Sequence, residues 1–93
     1  MIVGVLHIEL HLPMALSLKD KRSVLKSLKD QLHHRFNVSV ADVEPNTKWQ
    51  RAALGIAGVG SDRQAVEGCL RQITEWIRGH PAVNVIHIEQ EWW

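Results

Sequence analysis

The segment Ser17–Ala41, SLKDKRSVLKSLKDQLHHRFNVSVA, decides the fold of this 93-residue chain. Ser17 is a residue type favoured at helix N-caps, and Asp20 three positions later is a shorter version of the acid that completes a capping box. Five apolar residues then fall within about 80° of one another on a helical wheel, which predicts an amphipathic helix. They are Leu18, Leu25, Leu28, Leu32 and Phe36. The alternation of Val38 and Val40 that follows predicts a strand.

The flanking sequence supplies three more strands and a second helix. Alternation over Ile2–Leu12 predicts a first strand with one strongly apolar face, and Ala52–Gly60 predicts a third strand. Ser61 has the sequence context of a second capping box, and Gly79 marks the end of the helix that follows it. Val83–Glu89 predicts the last strand.

The element order is therefore β-α-β-β-α-β in a single domain, residues 1–93, with no linker. Right-handed crossovers within each β-α-β half favour a ferredoxin-like α+β sandwich. Such a fold has a four-stranded antiparallel sheet in the order 4-1-3-2, with two helices on one face. By alternation Trp92 shares a face with Ile86 and Ile88, so we expect it to pack near the helices.

Composition places the chain among ordinary globular proteins, with 45% hydrophobic and 23% charged residues. A single cysteine, Cys69, excludes an internal disulfide and suits a reducing compartment. No apolar run approaches the ~20 residues of a membrane span, and the N-terminus lacks the features of a signal peptide. A cytoplasmic protein with no membrane partner is expected.

Positive charge is concentrated on the first helix. The net charge of the whole chain is +1, but residues 17–36 carry six basic and two acidic residues, a local charge of +4. Most of these cations fall on one flank of the apolar stripe, a spacing that suits a run of phosphates. The residues predicted to contact phosphate are Lys19, Lys21, Arg22, Lys26 and Lys29. Lys21 lies near the apolar arc, and we expect it to sit over the open first turn.

A second cationic cluster follows the second strand. Lys48, Trp49 and Arg51 combine positive charge with an aromatic ring that can stack on an unpaired base. Trp49 and Arg51 are therefore secondary candidates for nucleic-acid contact. The expected fold does not require this turn to adjoin the first helix. The alternative for both clusters is an ordinary solvated surface whose long side chains cover the edge of the core.

The sheet face opposite the helices is half apolar and is a candidate homodimer face. The predicted interface residues are Val3, Val5, His7, Ala53, Ala57, Val85 and His87. The alternative is a solvated face with scattered valines. His7, His11, His87, Glu9 and Glu89 also share this face, but cross-strand His–Glu pairing explains them without a metal, and no metal site is predicted.

Signatures of catalysis are absent. The glycines near Gly58 lie in a strand and form no phosphate-binding loop, and Cys69 lies in an apolar helical arc rather than beside a base. No serine sits in a nucleophile elbow, and the chain contains no tyrosine. A sandwich of this size has little room for a deep pocket. The expectation is a protein that is not an enzyme, with no cofactor and no small-molecule substrate.

Several blocks resemble the YlxP-like family of small bacterial proteins. The resemblance is carried by Glu9–Pro13 (ELHLP), Ser17–Leu25 (SLKDKRSVL), Arg35–Ala41 (RFNVSVA) and Trp49–Ala52 (WQRA). It implies a ferredoxin-like fold, no catalytic residues, and a link to RNA or the ribosome, since members are often encoded beside genes for translation initiation and ribosome maturation. The chain departs from the family pattern at Pro45–Lys48, where an acidic residue usually precedes the tryptophan.

These observations favour a small non-catalytic accessory factor that associates with RNA or the ribosome through its basic first helix. The alternative is a protein-interaction module that uses the open sheet face, either as a homodimer or with another partner. A metal-dependent activity at the histidine-rich strands is a third hypothesis.

Overall fold

A computed structural model describes all residues from Met1 to Trp93 and contains the six expected elements. They are β1 (Ile2–His11), α1 (Leu18–Arg35), β2 (Ser39–Asp42), β3 (Arg51–Gly60), α2 (Arg63–Arg78) and β4 (Asn84–Trp92). The strands form one sheet in the order β2-β3-β1-β4, and every neighbouring pair is antiparallel. This is the predicted order read from the other edge, so the predicted α+β sandwich is confirmed. The last strand extends to Trp92, beyond its predicted end.

Both helices cover the same face of the sheet. One cluster of 16 buried residues joins the leucines and isoleucines of β1 and β3 to the apolar stripes of the two helices. From the helices it includes Leu25, Leu28, Leu32, Val66, Leu70, Ile73 and Ile77. The period of 3.6 in the helices and of 2 in the strands therefore directs both sets of apolar residues into one core.

The helix caps agree with the sequence in one case and differ by one residue in the other. Ser17 Oγ accepts a hydrogen bond from the Asp20 N–H at 3.1 Å, and Asp20 Oδ2 accepts one from the Leu16 N–H at 2.9 Å. The prediction of Ser61 as the second N-cap is wrong, because Asp62 occupies that position and accepts from the Gln64 N–H at 3.2 Å. A carboxylate is favoured at a helix N-terminus by its charge as well as by its hydrogen bond.

A β-bulge in β4 reverses the alternation of that strand. His87 lies opposite Glu9, but Val85 lies opposite Leu10, so Ile86 is an extra residue between them. Val85 consequently packs against the core, and Ile86 is 44% exposed. The prediction that Val85 belongs to the open sheet face is therefore wrong. A bulge shifts every residue on one side of it to the other face, and strict alternation cannot reveal it.

Trp92 packs against the core, as its position in the strand predicted. It lies near Gly4, where a side chain would come within 3.1 Å of the indole and within 2.8 Å of Val66 and Leu70. The guanidinium of Arg63 lies 4.4 Å from the centre of the Trp92 ring. Glycine at this position therefore lets α2 and the indole approach the sheet closely.

Candidate nucleic-acid interface

The β2–β3 loop, residues 43–50, lies beside the N-terminal half of α1. A groove of about 670 Å³ runs between them. Its lining includes Leu18, Lys21 and Arg22 from the helix, and Lys48 and Trp49 from the loop. The fold thus brings together the two cationic clusters that the sequence placed separately, because the short strand β2 returns the chain to the start of α1.

Lys21 anchors the loop to the helix. Its side chain is almost completely buried, with 2% exposure, and its ammonium Nζ donates to Thr47 Oγ1 at 2.9 Å and to the Thr47 carbonyl at 3.3 Å. The prediction that Lys21 sits over the open first turn of α1 is wrong. Its place on the apolar side of the helix directs the aliphatic stem inward, and the loop supplies the acceptors that a buried ammonium requires.

Thr47 holds the loop in shape. Its hydroxyl accepts from Lys21 and lies 3.1 Å from the Glu44 carbonyl and 2.9 Å from the Arg51 carbonyl. A hydroxyl has one hydrogen, so it donates to one of these two carbonyls at a time. Asp42 Oδ1 also accepts from the Glu44 N–H at 3.2 Å. These contacts fix the path of the segment that carries Lys48 and Trp49.

The tryptophan of the loop separates two grooves. Trp49 is 48% exposed, and no arginine or lysine stacks on its ring. A second groove of about 450 Å³ shares Lys48 and Trp49 with the first and is completed by His11, Gln50 and Arg51. An exposed indole between two concave surfaces has room for a planar ligand beside it.

The cations around the indole lack carboxylate partners. Within 4 Å the chain forms two ion pairs, Lys26–Asp30 and His87–Glu89, and neither involves the grooves. Arg22, Lys48 and Arg51 are all exposed. Their positive charge is therefore available to an anion from outside the chain.

The remaining members of the basic stripe lie along the outer surface of α1. Lys19 is exposed and Lys29 is half-buried, and neither forms an ion pair. Lys26 lies 3.2 Å from Asp30, with both side chains largely in solvent. Exposed pairs of this kind contribute at most about 1 kcal/mol, so the pair is readily exchanged for another anion.

The open sheet face carries alternating histidine–glutamate contacts. His7 lies opposite Glu89 and Glu9 lies opposite His87, while His87 Nε2 is 3.1 Å from Glu89 Oε1 along the same strand. No group of three or more His, Cys, Asp or Glu side chains is arranged to hold a metal ion. The register therefore places histidine and glutamate opposite each other across β1 and β4, and the hydrogen-bonding distance between such residues lies within β4.

Five of the seven predicted dimer-face residues lie on the open face with part of their surface accessible. These are Val3, Val5, His7, Ala57 and His87. Ala53 also lies on that side, opposite Glu9, but it is only 1% exposed and offers almost no surface to a partner. Val85 faces the core. Three other apolar residues are more exposed: Val43 (45%), Val59 (62%) and Ile86 (44%).

Two side chains outside the interface have perturbed ionisation. Burial raises the pKa of the Cys69 thiol, which disfavours the reactive thiolate. Burial lowers the pKa of His80, whose Nδ1 accepts from the Ala82 N–H at 3.1 Å while Nε2 lies 3.2 Å from Gln31 Oε1. This arrangement suits the neutral imidazole with its proton on Nε2.

None of the helices has the length and apolar character needed to cross a membrane.

Sequence reasoning missed Thr47 and the groove beside it. The available signal was Lys21 itself, a lysine on the buried side of an amphipathic helix, which must find polar partners from elsewhere in the chain. The identity of that partner depends on tertiary structure. No local pattern points to Thr47, which is 26 positions away.

Comparison with known proteins confirms the predicted family resemblance. Residues 3–90 match the family described as "Protein of unknown function (DUF503)". The chain is also 36% identical over 76 residues to "Uncharacterized protein YlxP" of Bacillus subtilis (strain 168), a match that covers 82% of this chain and 83% of that protein. The protein thus belongs to the DUF503 family, and it is a relative of YlxP.

Proposed function

We propose that the protein is a non-catalytic accessory factor that binds single-stranded RNA through the grooves on either side of Trp49. The observation that carries the proposal is the half-exposed indole, flanked by Arg22, Lys48 and Arg51 without a carboxylate partner. Exposed aromatic rings stack on unpaired bases, and arginine and lysine contact the adjoining phosphates.

The basic stripe of α1 extends this surface. Lys19, Lys26 and Lys29 add positive charge along the helix that forms one wall of the first groove. Phosphate contacts of this kind carry most of the affinity and make it fall steeply with salt. The stripe would therefore guide a strand toward the grooves, while Trp49 contacts a base.

The test is a titration of fluorescently labelled single-stranded RNA, followed by anisotropy at two salt concentrations. The double variant Arg22→Gln with Lys48→Gln should bind at least ~10-fold more weakly, because it loses two phosphate contacts. Arg71→Gln is the matched control, since Arg71 is exposed on α2 and lines neither groove. Equal binding by the double variant and the control would overturn the proposal.

Association with the ribosome is the finer form of the same proposal. Its support is the RNA-binding character of the surface rather than any partner of known identity. A tagged protein should co-sediment with ribosomal particles from cell extracts, and ribonuclease treatment should release it. Sedimentation of the Arg22→Gln, Lys48→Gln variant with those particles at the parent level would contradict a role for the grooves.

A second candidate function is self-association through the open sheet face. Val43, Val59 and Ile86 are exposed there, and together they offer apolar surface to a second copy. The expected mass in solution is close to twice 10.6 kDa. Val5→Asp should yield a folded monomer, and a monomeric parent protein would dismiss this candidate.

A further inference from the structure

Lys21 is a buried cation whose charge no carboxylate in the chain balances. Its ammonium has three N–H donors, and Thr47 supplies two neutral acceptors for them. No carboxylate oxygen lies within 4 Å of its Nζ. Removing an ammonium from water is costly unless a counter-charge accompanies it. Lys21 also lines the first groove, so an anion placed there can supply that counter-charge.

The charges that line the groove define the kind of anion. Lys21, Arg22 and Lys48 contribute three positive charges, and Asp42 contributes one negative charge, which leaves +2. An internal phosphodiester of RNA carries a single negative charge. A phosphate monoester, which occurs at a strand end or on a mononucleotide, carries about −1.5 to −2 at neutral pH.

The neutral part of the lining suits the rest of a nucleotide. Leu18 and Trp49 are the large exposed hydrophobic residues of the groove, with 47% and 48% exposure, and they offer surface to a base. Asn46 adds an amide with both donor and acceptor groups. The volume of about 670 Å³ falls within the range of sites that hold small ligands.

We infer that the first groove is a receptor for a phosphate monoester attached to a nucleoside, with the buried ammonium of Lys21 as its innermost cation. This inference rests on the proposed RNA-binding function and narrows it to the phosphorylated end of a strand or to a free mononucleotide. Arg22 and Lys48 contact the phosphate from the rim, and Trp49 stacks on the attached base.

The experiment compares four RNA oligonucleotides of one sequence that carry a 5′-phosphate, a 3′-phosphate, both, or neither. Binding is followed by quenching of tryptophan fluorescence and by anisotropy. At least one phosphorylated end should improve affinity by ~10-fold or more. AMP and adenosine form a separate pair. A preference for AMP as strong as that for the phosphorylated RNA would identify a free mononucleotide as sufficient.

Lys21→Met tests the innermost cation, since it keeps an aliphatic side chain of similar length in the buried position. The variant removes the desolvation cost of an ammonium that has no carboxylate partner and loses the two hydrogen bonds to Thr47, so the core packing is kept and the variant should fold. The preference for the phosphorylated end should fall to near onefold in Lys21→Met and in the exposed-site variant Arg22→Gln. It should persist in Arg71→Gln.

The two proposals fail in different ways. Equal affinity for all four oligonucleotides would overturn the monoester inference and leave the RNA-binding function intact. Absence of binding to every oligonucleotide would overturn both. Should Lys21→Met not fold, Arg22→Gln decides alone, and an unchanged preference in that variant would overturn the inference.

Discussion

Trp92 and Trp49 are both near arginine or lysine, but the fold treats them differently. Trp92 packs against the core beside Gly4, and Arg63 lies 4.4 Å from the centre of its ring. Trp49 projects from the β2–β3 loop with 48% exposure, and no cation of the chain stacks on it. The indole of Trp92 makes its contacts within the protein. The indole of Trp49 keeps about half of its surface, and the positive charges near it, accessible to a ligand.

The difference shows how one pair of residue types serves two purposes. A cation over a partly buried aromatic ring, as at Trp92, adds stability in the range of about 0.5–2 kcal/mol. The same residues without mutual contact, at the rim of a groove, present a surface suited to a stacked base and its phosphate. Strand alternation already predicted that Trp92 packs near the helices, whereas the surroundings of Trp49, which lies in a loop, are given only by the tertiary structure.

The largest expected effect is a loss of stability on replacing the packed indole. Trp92→Ala should lower the free energy of unfolding by about 2–3 kcal/mol, somewhat less than for a fully buried tryptophan, because it removes core contacts and the Arg63 stack. Trp49→Ala should change it by less than about 0.5 kcal/mol. Urea denaturation of both variants measures the two values.

The same pair should show the opposite order in RNA binding. Trp49→Ala should lose ~10-fold or more in affinity, since stacking on one base contributes about 1–3 kcal/mol. Folded Trp92→Ala should bind like the parent protein. A comparable loss of stability in the two variants would show that Trp49 is a structural residue.

Close packing around Trp92 predicts the next largest effect. Gly4→Ala should destabilise the protein by about 1–2 kcal/mol, because the added carbon would lie 2.8 Å from Val66 and Leu70 atoms. Gly68→Ala is the matched control within α2, where no atom lies within 4 Å of an added carbon. It should be stabilising, by up to about 1 kcal/mol, since alanine favours the helix. Thermal unfolding measures both effects. Melting temperatures of the two variants that shift in the same direction would contradict the close packing at Gly4.

A smaller effect should appear with pH at His80. Burial lowers its pKa, so the folded state favours the neutral imidazole while the unfolded chain titrates near its usual value of about 6.5. The unfolded state therefore binds more protons in this range. Its contribution to stability is complete above about pH 7 and is lost as the pH falls through 6.5 toward the lower folded pKa.

Urea unfolding between pH 8 and pH 5 tests this contribution. The loss of stability on acidification should be smaller in His80→Gln than in the parent protein. His34→Gln is the control, since His34 is exposed on the last turn of α1. If both variants lost as much stability as the parent protein between pH 8 and pH 5, the role assigned to His80 would be contradicted.

The smallest effect concerns the outer surface of α1. Asp30→Asn removes the partner of Lys26 and should change stability by less than about 0.5 kcal/mol. It should also strengthen RNA binding slightly at low salt, since Lys26 becomes free and a negative charge is lost. Anisotropy at two salt concentrations measures this change, and an affinity equal to that of the parent protein at low salt would place the stripe outside the RNA path.

Much of the fold was predictable because it rests on periodicity. The apolar stripe through Leu25 and Leu32 and the alternation of β1 each identify a buried face directly from spacing. The order of the strands followed from the handedness of the crossovers. The predictions were wrong where a single residue displaces the pattern, as with the N-cap at Asp62 and the β-bulge at Ile86.

The candidate site was only partly predictable. The cationic residues and Trp49 were visible in the sequence, but the contact between their two segments was not. It depends on the hydrogen bonds between Lys21 and Thr47, which link residues far apart in the chain. Spacing describes which side of one element a residue occupies, and it does not describe which loop meets that side.

The extra residue at Ile86 has a consequence for variation in the length of this chain. Val85 and His87 already lie opposite the successive residues Leu10 and Glu9, so removing Ile86 alone would join the two flanks of β4 without turning either of them over. A one-residue deletion at that point should therefore be tolerated, because it converts the bulge into regular strand pairing. Lengths of natural relatives can thus differ by one residue at this point of the last strand without moving a core side chain to the other face.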